Sequence, residues 1–325
     1  MESVSTNKSS IALLNEYKGN IFEFLVAQSL ARSFNIESKF LQSITSEFFT
    51  ILDQQQRFIK KNYPELYRNL PDWANTLAQS FIRHKDCDFE DVVLIGKVAT
   101  SLTEEFGSAD ILLKGNRPEN LSIKLAKKNS YINSKSSGIK SFISKYFGAQ
   151  FQSEQDTLTA CFEKEFQLFS LNLHQYFELT PEDNFKNWDK NNFPNLPGDL
   201  AQDAKIYYQQ FMINVNQVIF NLLSEIQQRS FADFSQGLLH LCGVQQMSVL
   251  QLIYLYNGSD GSALILENDN FIFDPQKTKL TLKNSSILIE SNNVSLQIRL
   301  KAMNTFTSPA YKVNCAYKFR QLDQV

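Results

Sequence analysis

Histidine and cysteine, the residues that most often carry metal or nucleophile chemistry, are scarce, with three and four copies in 325 residues. His84, His174 and His240 lie far apart, and Cys87, Cys161, Cys242 and Cys315 form neither a CxxC nor a Cys/His pairing of zinc type. A local zinc motif is thereby excluded, and a Ser-His-Asp or Cys-His site would have to be assembled by tertiary folding alone. The four thiols are expected to be interior or incidental, because free cysteine packs as a small apolar residue. Neither GxGxxG nor GxxxxGK[ST] occurs, which argues against dinucleotide-binding and P-loop enzymes and predicts no organic cofactor. No apolar run approaches the ~18 residues of a membrane span, and Met1 is followed by ESVSTNKSS instead of a basic stretch and an apolar one. The expectation is a cytoplasmic protein without a membrane partner. An excess of one charge is missing too: Lys+Arg is 32 against Asp+Glu 34, a net charge of −2. A globally basic polyanion binder is excluded, and any basic site must be local.

What the chain does have is apolar material, 43% hydrophobic residues with 27 Phe and 12 Tyr, which removes it from the regime of disorder. Leu13, Leu14, Ile21, Phe22, Leu25, Val26 and Leu30 recur at spacings of three and four, predicting a helix over 10–34. Further helices are predicted over 40–61, ending before Pro64, and over 73–84. The character then changes to short β-prone runs at 91–100, 109–114 and 120–126, punctuated by Gly, Pro and Asn, as in a meander. Residues 130–141 read as a polar Ser/Lys loop. Helical spacing returns over 154–177 and 199–228, separated by an Asn-rich stretch with Pro181, Pro194 and Pro197. Beyond Gly243 the alternation is of period two, with Gly258-Ser259-Asp260-Gly261 as a turn between strands. Three parts are expected: 1–150, a mixed α/β part with the N-terminal helices; 151–240, helical; and 241–325, β-rich.

In the middle strands Asp110 opens one run and Lys124 lies in the next, with Ser122 two residues before it on the same face. Glu23 sits in the first helix on a stripe whose spacing-four neighbours are Gly19 and Ala27, small residues that would let the helix approach the sheet. A helix carboxylate, an Asp at a strand start and a strand in the place of (D/E)-x-K, in KGNIFEFLVAQSL, SADILL and LSIK, resemble the PD-(D/E)xK nuclease superfamily, most closely type II restriction endonucleases. Ala109 stands where that pattern has Pro, and Ser122 where it has an acid. The resemblance covers about residues 15–147. It implies an α/β nuclease core, a mixed sheet flanked by helices, with a helical insertion and a β-rich C-terminal part. It also implies Mg²⁺-dependent cleavage of double-stranded DNA by a homodimer, since cutting two strands takes two sites. Phosphodiester hydrolysis needs a cation to polarise phosphoryl oxygen and acidify water. Asp110 would be the direct metal ligand, Glu23 the second carboxylate compensating for Ser122, and Lys124 the group that orients or deprotonates the attacking water.

Independently of the motif, residues 114–145 hold eight basic side chains against one acid, Glu119. Lys127, Lys128, Asn133, Lys135 and Lys140 are accordingly expected to contact DNA phosphates. Residues 154–203 hold ten acids against three lysines and should face away from DNA. In the late strands Arg299 and Lys301 alternate with Ile298 and Leu300, so both are expected on an outer face that helps to bind or read DNA.

Overall fold

The computed structural model describes residues 5–85, 88–95, 109–181, 185, 188, 194, 198–244, 249–303 and 305–319, the side chains of 5–12 excepted. Their secondary structure is mixed, with helices and two five-stranded sheets, one mixed and one antiparallel. The chain is thus of the α/β class. It divides into two compact units, each made from separated stretches: residues up to 130 with 244–270, and 131–243 with 271 onward. The sequence reading has three consecutive parts instead.

In the first unit, helix α1 (Ser5–Ser33) carries the expected apolar stripe. It ends where Asn35 takes a left-handed φ of 59° and the Ile36 N–H returns to the Ala31 carbonyl at 2.8 Å, the 6→1 bond of a Schellman close. The helix expected over 40–61 is two, α2 (Glu37–Ser43) and α3 (Ser46–Asn62). The break falls at Ile44, which is extended and buried, and Thr45 then caps α3 by accepting from the Phe48 N–H at 3.3 Å. Helix α4 (Pro64–His84) begins nine residues before the expected start at Trp73. Pro64 opens it instead of ending α3, because a proline at the first helical position forfeits no hydrogen bond.

The strands β1 (Asp91–Leu94), β2 (Ile111–Lys114) and β3 (Glu119–Lys127) form the expected antiparallel meander; residues 96–100 of the first run lie outside the described residues. Two strands from the C-terminal third complete this sheet, β5 (Val249–Asn257) parallel to β3 and β6 (Asp260–Leu266) antiparallel to β5. Alternation explains the recruitment. Leu250, Leu252, Tyr254 and Tyr256 of β5 join Leu121 and Ile123 of β3 in one core with α1 to α4, a surface that the three-stranded meander alone would leave wide open. The hairpin turn at Gly258, with φ +64°, is where expected. A Cβ at Gly261 would overlap the Tyr254 ring.

The second unit holds β4 (Ile132–Gly138), α5 (Phe142–Phe147), α6 (Gln152–Tyr176), α7 (Lys205–Arg229), α8 (Phe231–Cys242), β7 (Lys279–Lys283), β8 (Ser286–Glu290), β9 (Val294–Ala302) and β10 (Tyr311–Phe319). Its sheet runs β4-β10-β9-β8-β7, antiparallel throughout. Two expectations are corrected. The polar loop at 130–141 contains edge strand β4, and a Ser/Lys-rich composition is what an edge tolerates. Within the period-two stretch beyond Gly243, the run NFIFD at 270–274, which reads as a strand, does not form one; Phe271 is instead buried against Tyr317 and Phe319. Helix α8 has no counterpart in the sequence reading. The Phe162, Phe166 and Phe169 stripe of α6 is core, packed on Phe211 and Tyr311. Cys242 and Cys315 are buried, and desolvation pushes the Cys315 thiol up to about 12, so both are chemically quiet. Among the described residues no helix is long and apolar enough to cross a membrane.

In this unit an added Cβ at Gly237 of α8 would fall inside the Phe147 ring that stacks on Phe234. We expect Gly237→Ala to lower stability by about 1–3 kcal/mol, the usual cost of overpacking. Chemical denaturation would read this, and an unchanged midpoint would mean that α8 lies further from α5.

Candidate active site on the mixed sheet

Asp110 immediately precedes β2, and its backbone is already part of the sheet. Its N–H donates to the Leu121 carbonyl at 2.7 Å and its carbonyl accepts from the Ile95 N–H at 3.0 Å. The β2–β3 register pairs Ile111 with Leu121, so Ser122 stands opposite Asp110 and Lys124 lies one diagonal further on the same face. Three donors from β3 converge on one carboxylate oxygen, Asp110 Oδ2: Ser122 Oγ at 3.2 Å, the Ile123 N–H at 2.7 Å and Lys124 Nζ at 3.2 Å. The side chain thus continues the ladder at the point where the β2 backbone leaves it. Because all three donors take Oδ2, the orientation of the carboxylate is set while Oδ1 receives none of them.

Ser122 is buried, whereas Asp110 and Lys124 remain about a quarter exposed, at 23% and 26% of their side chains. The pair is therefore open to a ligand from solvent. Gln251 of β5 stands in register with Ser122 and is buried with it. Sequence reasoning missed it; the signal was a lone amide inside the apolar run VLQLIYLY.

Glu23 is placed differently. It is half-buried on α1, one turn from the fully buried Ala27. The buried residues of α1 pack on Leu121 and Ile123, and alternation puts Ser122 and Lys124 on the other face of β3. Two of the roles expected around one metal therefore start from opposite sides of that strand. Of the two small neighbours, Ala27 is fully buried, but a Cβ at Gly19 would meet nothing within 4 Å. Gly19 is not required for close approach. We expect Gly19→Ala to stabilise the protein by about 0.5–1 kcal/mol through lost backbone freedom in the unfolded chain, read as a raised thermal midpoint.

Among the described residues no group of three His, Cys, Asp or Glu side chains is gathered for a metal. The groups near Asp110 able to ligate a cation are oxygens: its own carboxylate, the Ser122 hydroxyl and, in register, the Gln251 amide, with Lys124 Nζ on the same carboxylate. This set suits a hard divalent cation that keeps much of its water, as Mg²⁺ does when held by one or two carboxylates.

The expected phosphate contacts fall in both units. Lys127 and Lys128 are exposed at the end of β3, and the Lys128 N–H holds the Tyr256 carbonyl at 2.8 Å. Asn133 and Lys135 are on strand β4, the first exposed and the second half-buried. Lys140 forms an ion pair with Glu163 of α6, so its charge is countered by one of the acids expected to face away from DNA. Arg299 and Lys301 are exposed on β9 between buried Ile298 and Leu300, as alternation requires. The register sets Arg299 opposite Asn314 and Lys301 opposite Lys312 on β10. Two lysines directly across a strand pair repel one another, which favours an anion over that face.

No protein-family model matches the chain, and no curated protein matches it.

Proposed function

We propose that the protein is a Mg²⁺-dependent, sequence-specific endonuclease of double-stranded DNA, of the type II restriction kind, with a PD-(D/E)xK-like core in its first unit. The observation that carries the reading is the convergence of Ser122 and Lys124 on Asp110 Oδ2 at the start of a meander strand. When bound, the cation supplies charge that polarises phosphoryl oxygen and acidifies water. Asp110 would hold it through Oδ1, its orientation fixed by the donors on Oδ2. Lys124 keeps an ammonium beside that carboxylate, where it positions the attacking water and offsets the negative charge that grows on the phosphate in the transition state. Ser122 substitutes a neutral hydroxyl for the second strand carboxylate. Glu23 enters by family resemblance alone, as the remaining carboxylate, since α1 packs on the face of β3 opposite Asp110 and Lys124. A homodimer belongs to the proposal because one centre cuts one strand.

The test is incubation of the purified protein with long unmodified DNA in Mg²⁺ and in EDTA. Discrete fragments that require Mg²⁺ are expected, and a smear would replace sequence-specific cleavage by a nuclease without a fixed site. A second reading, a nucleic-acid-binding protein whose nuclease centre has decayed, is favoured by Ser122 at the acidic position. Salt-dependent binding with no cutting on several substrates would select it.

A further inference from the structure

On the helical side of the same sheet, where β3 and β5 end, lies an open groove of about 590 Å³ lined by Glu65, Arg68, Asn69, Trp73, Lys127 and Tyr256 among others. Its wall is rigid. Trp73 stacks on Tyr256 with ring centroids 4.8 Å apart, and the Trp73 indole donates to the Ser259 carbonyl at 2.9 Å. A third cation reaches the wall from α1: Lys18 Nζ donates to the Tyr256 hydroxyl at 3.3 Å and lies 5.6 Å from the ring centroid. Arg68 and Lys127 are exposed, and neither makes an ion pair among the described residues; Glu65 is the one acid in the lining. Burial, and then the charge of Lys127, hold the Lys18 ammonium below its ordinary value.

We infer that this groove holds the phosphodiester backbone of the nucleic acid beyond the candidate centre, with Arg68, Lys127 and Lys18 as cationic contacts and Asn69 as a neutral donor. The identity of the ligand rests on the nuclease reading; the anion chemistry rests on the groove. Lys127 is three residues past Lys124 on β3, about 10 Å along it and, by alternation, on the opposite face, so a backbone that contacts both passes around the end of β3. Arg68 and Asn69 come from α4, which the charge pattern of the sequence does not connect with residues 114–145. Arginine suits the role because its planar fork meets two phosphate oxygens at once.

The experiment is the salt dependence of binding to a labelled duplex in EDTA, where cutting is suppressed, for the wild type, R68A/K127A, K18M and E65Q, beside a cleavage assay in Mg²⁺. Each neutralised phosphate contributes about 0.9 to the slope of log affinity against log salt. R68A/K127A should therefore lower the slope by about 2 and weaken binding at least tenfold at low salt. K18M should lower the slope by about 1, and E65Q should tighten binding. An unchanged slope and affinity in R68A/K127A, or a wild type that binds no duplex, would overturn the inference. Cleavage with an unchanged slope sinks the groove and spares the nuclease; a lost slope without cleavage in the wild type keeps the groove and sinks the nuclease. Arg68 and Lys127 are exposed, so their loss leaves the core intact, and a circular dichroism melt of each variant checks it.

Discussion

Lys124→Ala is expected to lower the rate of DNA cleavage by about 10²–10⁴-fold while leaving the thermal midpoint near that of the wild type. The side chain is 26% exposed and its partner Asp110 keeps two other donors, Ser122 Oγ and the Ile123 N–H. Its loss removes a partly solvated ion pair, which contributes little to folding. The chemistry responds in the opposite proportion. Without an ammonium beside the carboxylate, nothing described on that face of β3 orients the attacking water or balances charge on the phosphate. Lys124→Arg should recover only part of the rate, because a guanidinium is broader and does not give up a proton. Single-turnover cleavage together with a melt separates the two effects. Full activity in Lys124→Ala would remove this lysine from the mechanism.

At Asp110 the expected results divide between Asn and Ala. Asp110→Asn keeps an oxygen for the Ile123 N–H and the Ser122 hydroxyl, so the β2–β3 junction should survive, while the charge needed to hold a divalent cation is lost and cleavage falls below detection. Asp110→Ala leaves the Ile123 amide and the buried Ser122 hydroxyl without their acceptor, which costs about 1–3 kcal/mol for an unsatisfied buried group. The Ala variant should therefore be both inactive and less stable, and the Asn variant only inactive. Equal stability of the two would show that Oδ2 does not complete the ladder as its 2.7 Å bond from Ile123 indicates. Cleavage by both would end the metal-ligand role of Asp110.

The residues behind these outcomes are marked by local pattern along the chain. Ser122 and Lys124 share a face because strand side chains alternate, and that follows from LSIK alone. Their meeting with Asp110 needs only the β2–β3 pair, whose strands are joined by the short stretch 115–118. Glu23 is harder to place. Periodicity puts it on an inward stripe of α1, but which face of which sheet that stripe covers depends on Leu121, Ile123, Leu252 and Tyr254 competing for the same helices. Gly19 illustrates the same limit: a small residue beside a carboxylate suggests close approach, yet its surroundings are open.

What the sequence determined by itself is local: the helix of α1 with its stripe, the meander of β1 to β3, the outward face of Arg299 and Lys301, the turn at Gly258, and an Asp/Ser/Lys constellation on adjacent strands. What only the tertiary structure decided is which distant segments complete each sheet. β5 and β6 leave the C-terminal run to close the first sheet on β3, and β4 leaves the basic segment to become an edge of the second. In both cases hydrogen bonds and an apolar face are satisfied by a partner more than a hundred residues away. Alternation within a strand is indifferent to who that partner is, since any neighbour of period two satisfies it. The competition among strands for one helical layer settles the pairing, and with it Gln251 comes beside Ser122, and Arg68 and Asn69 of α4 come to line one groove with Lys127 and Tyr256.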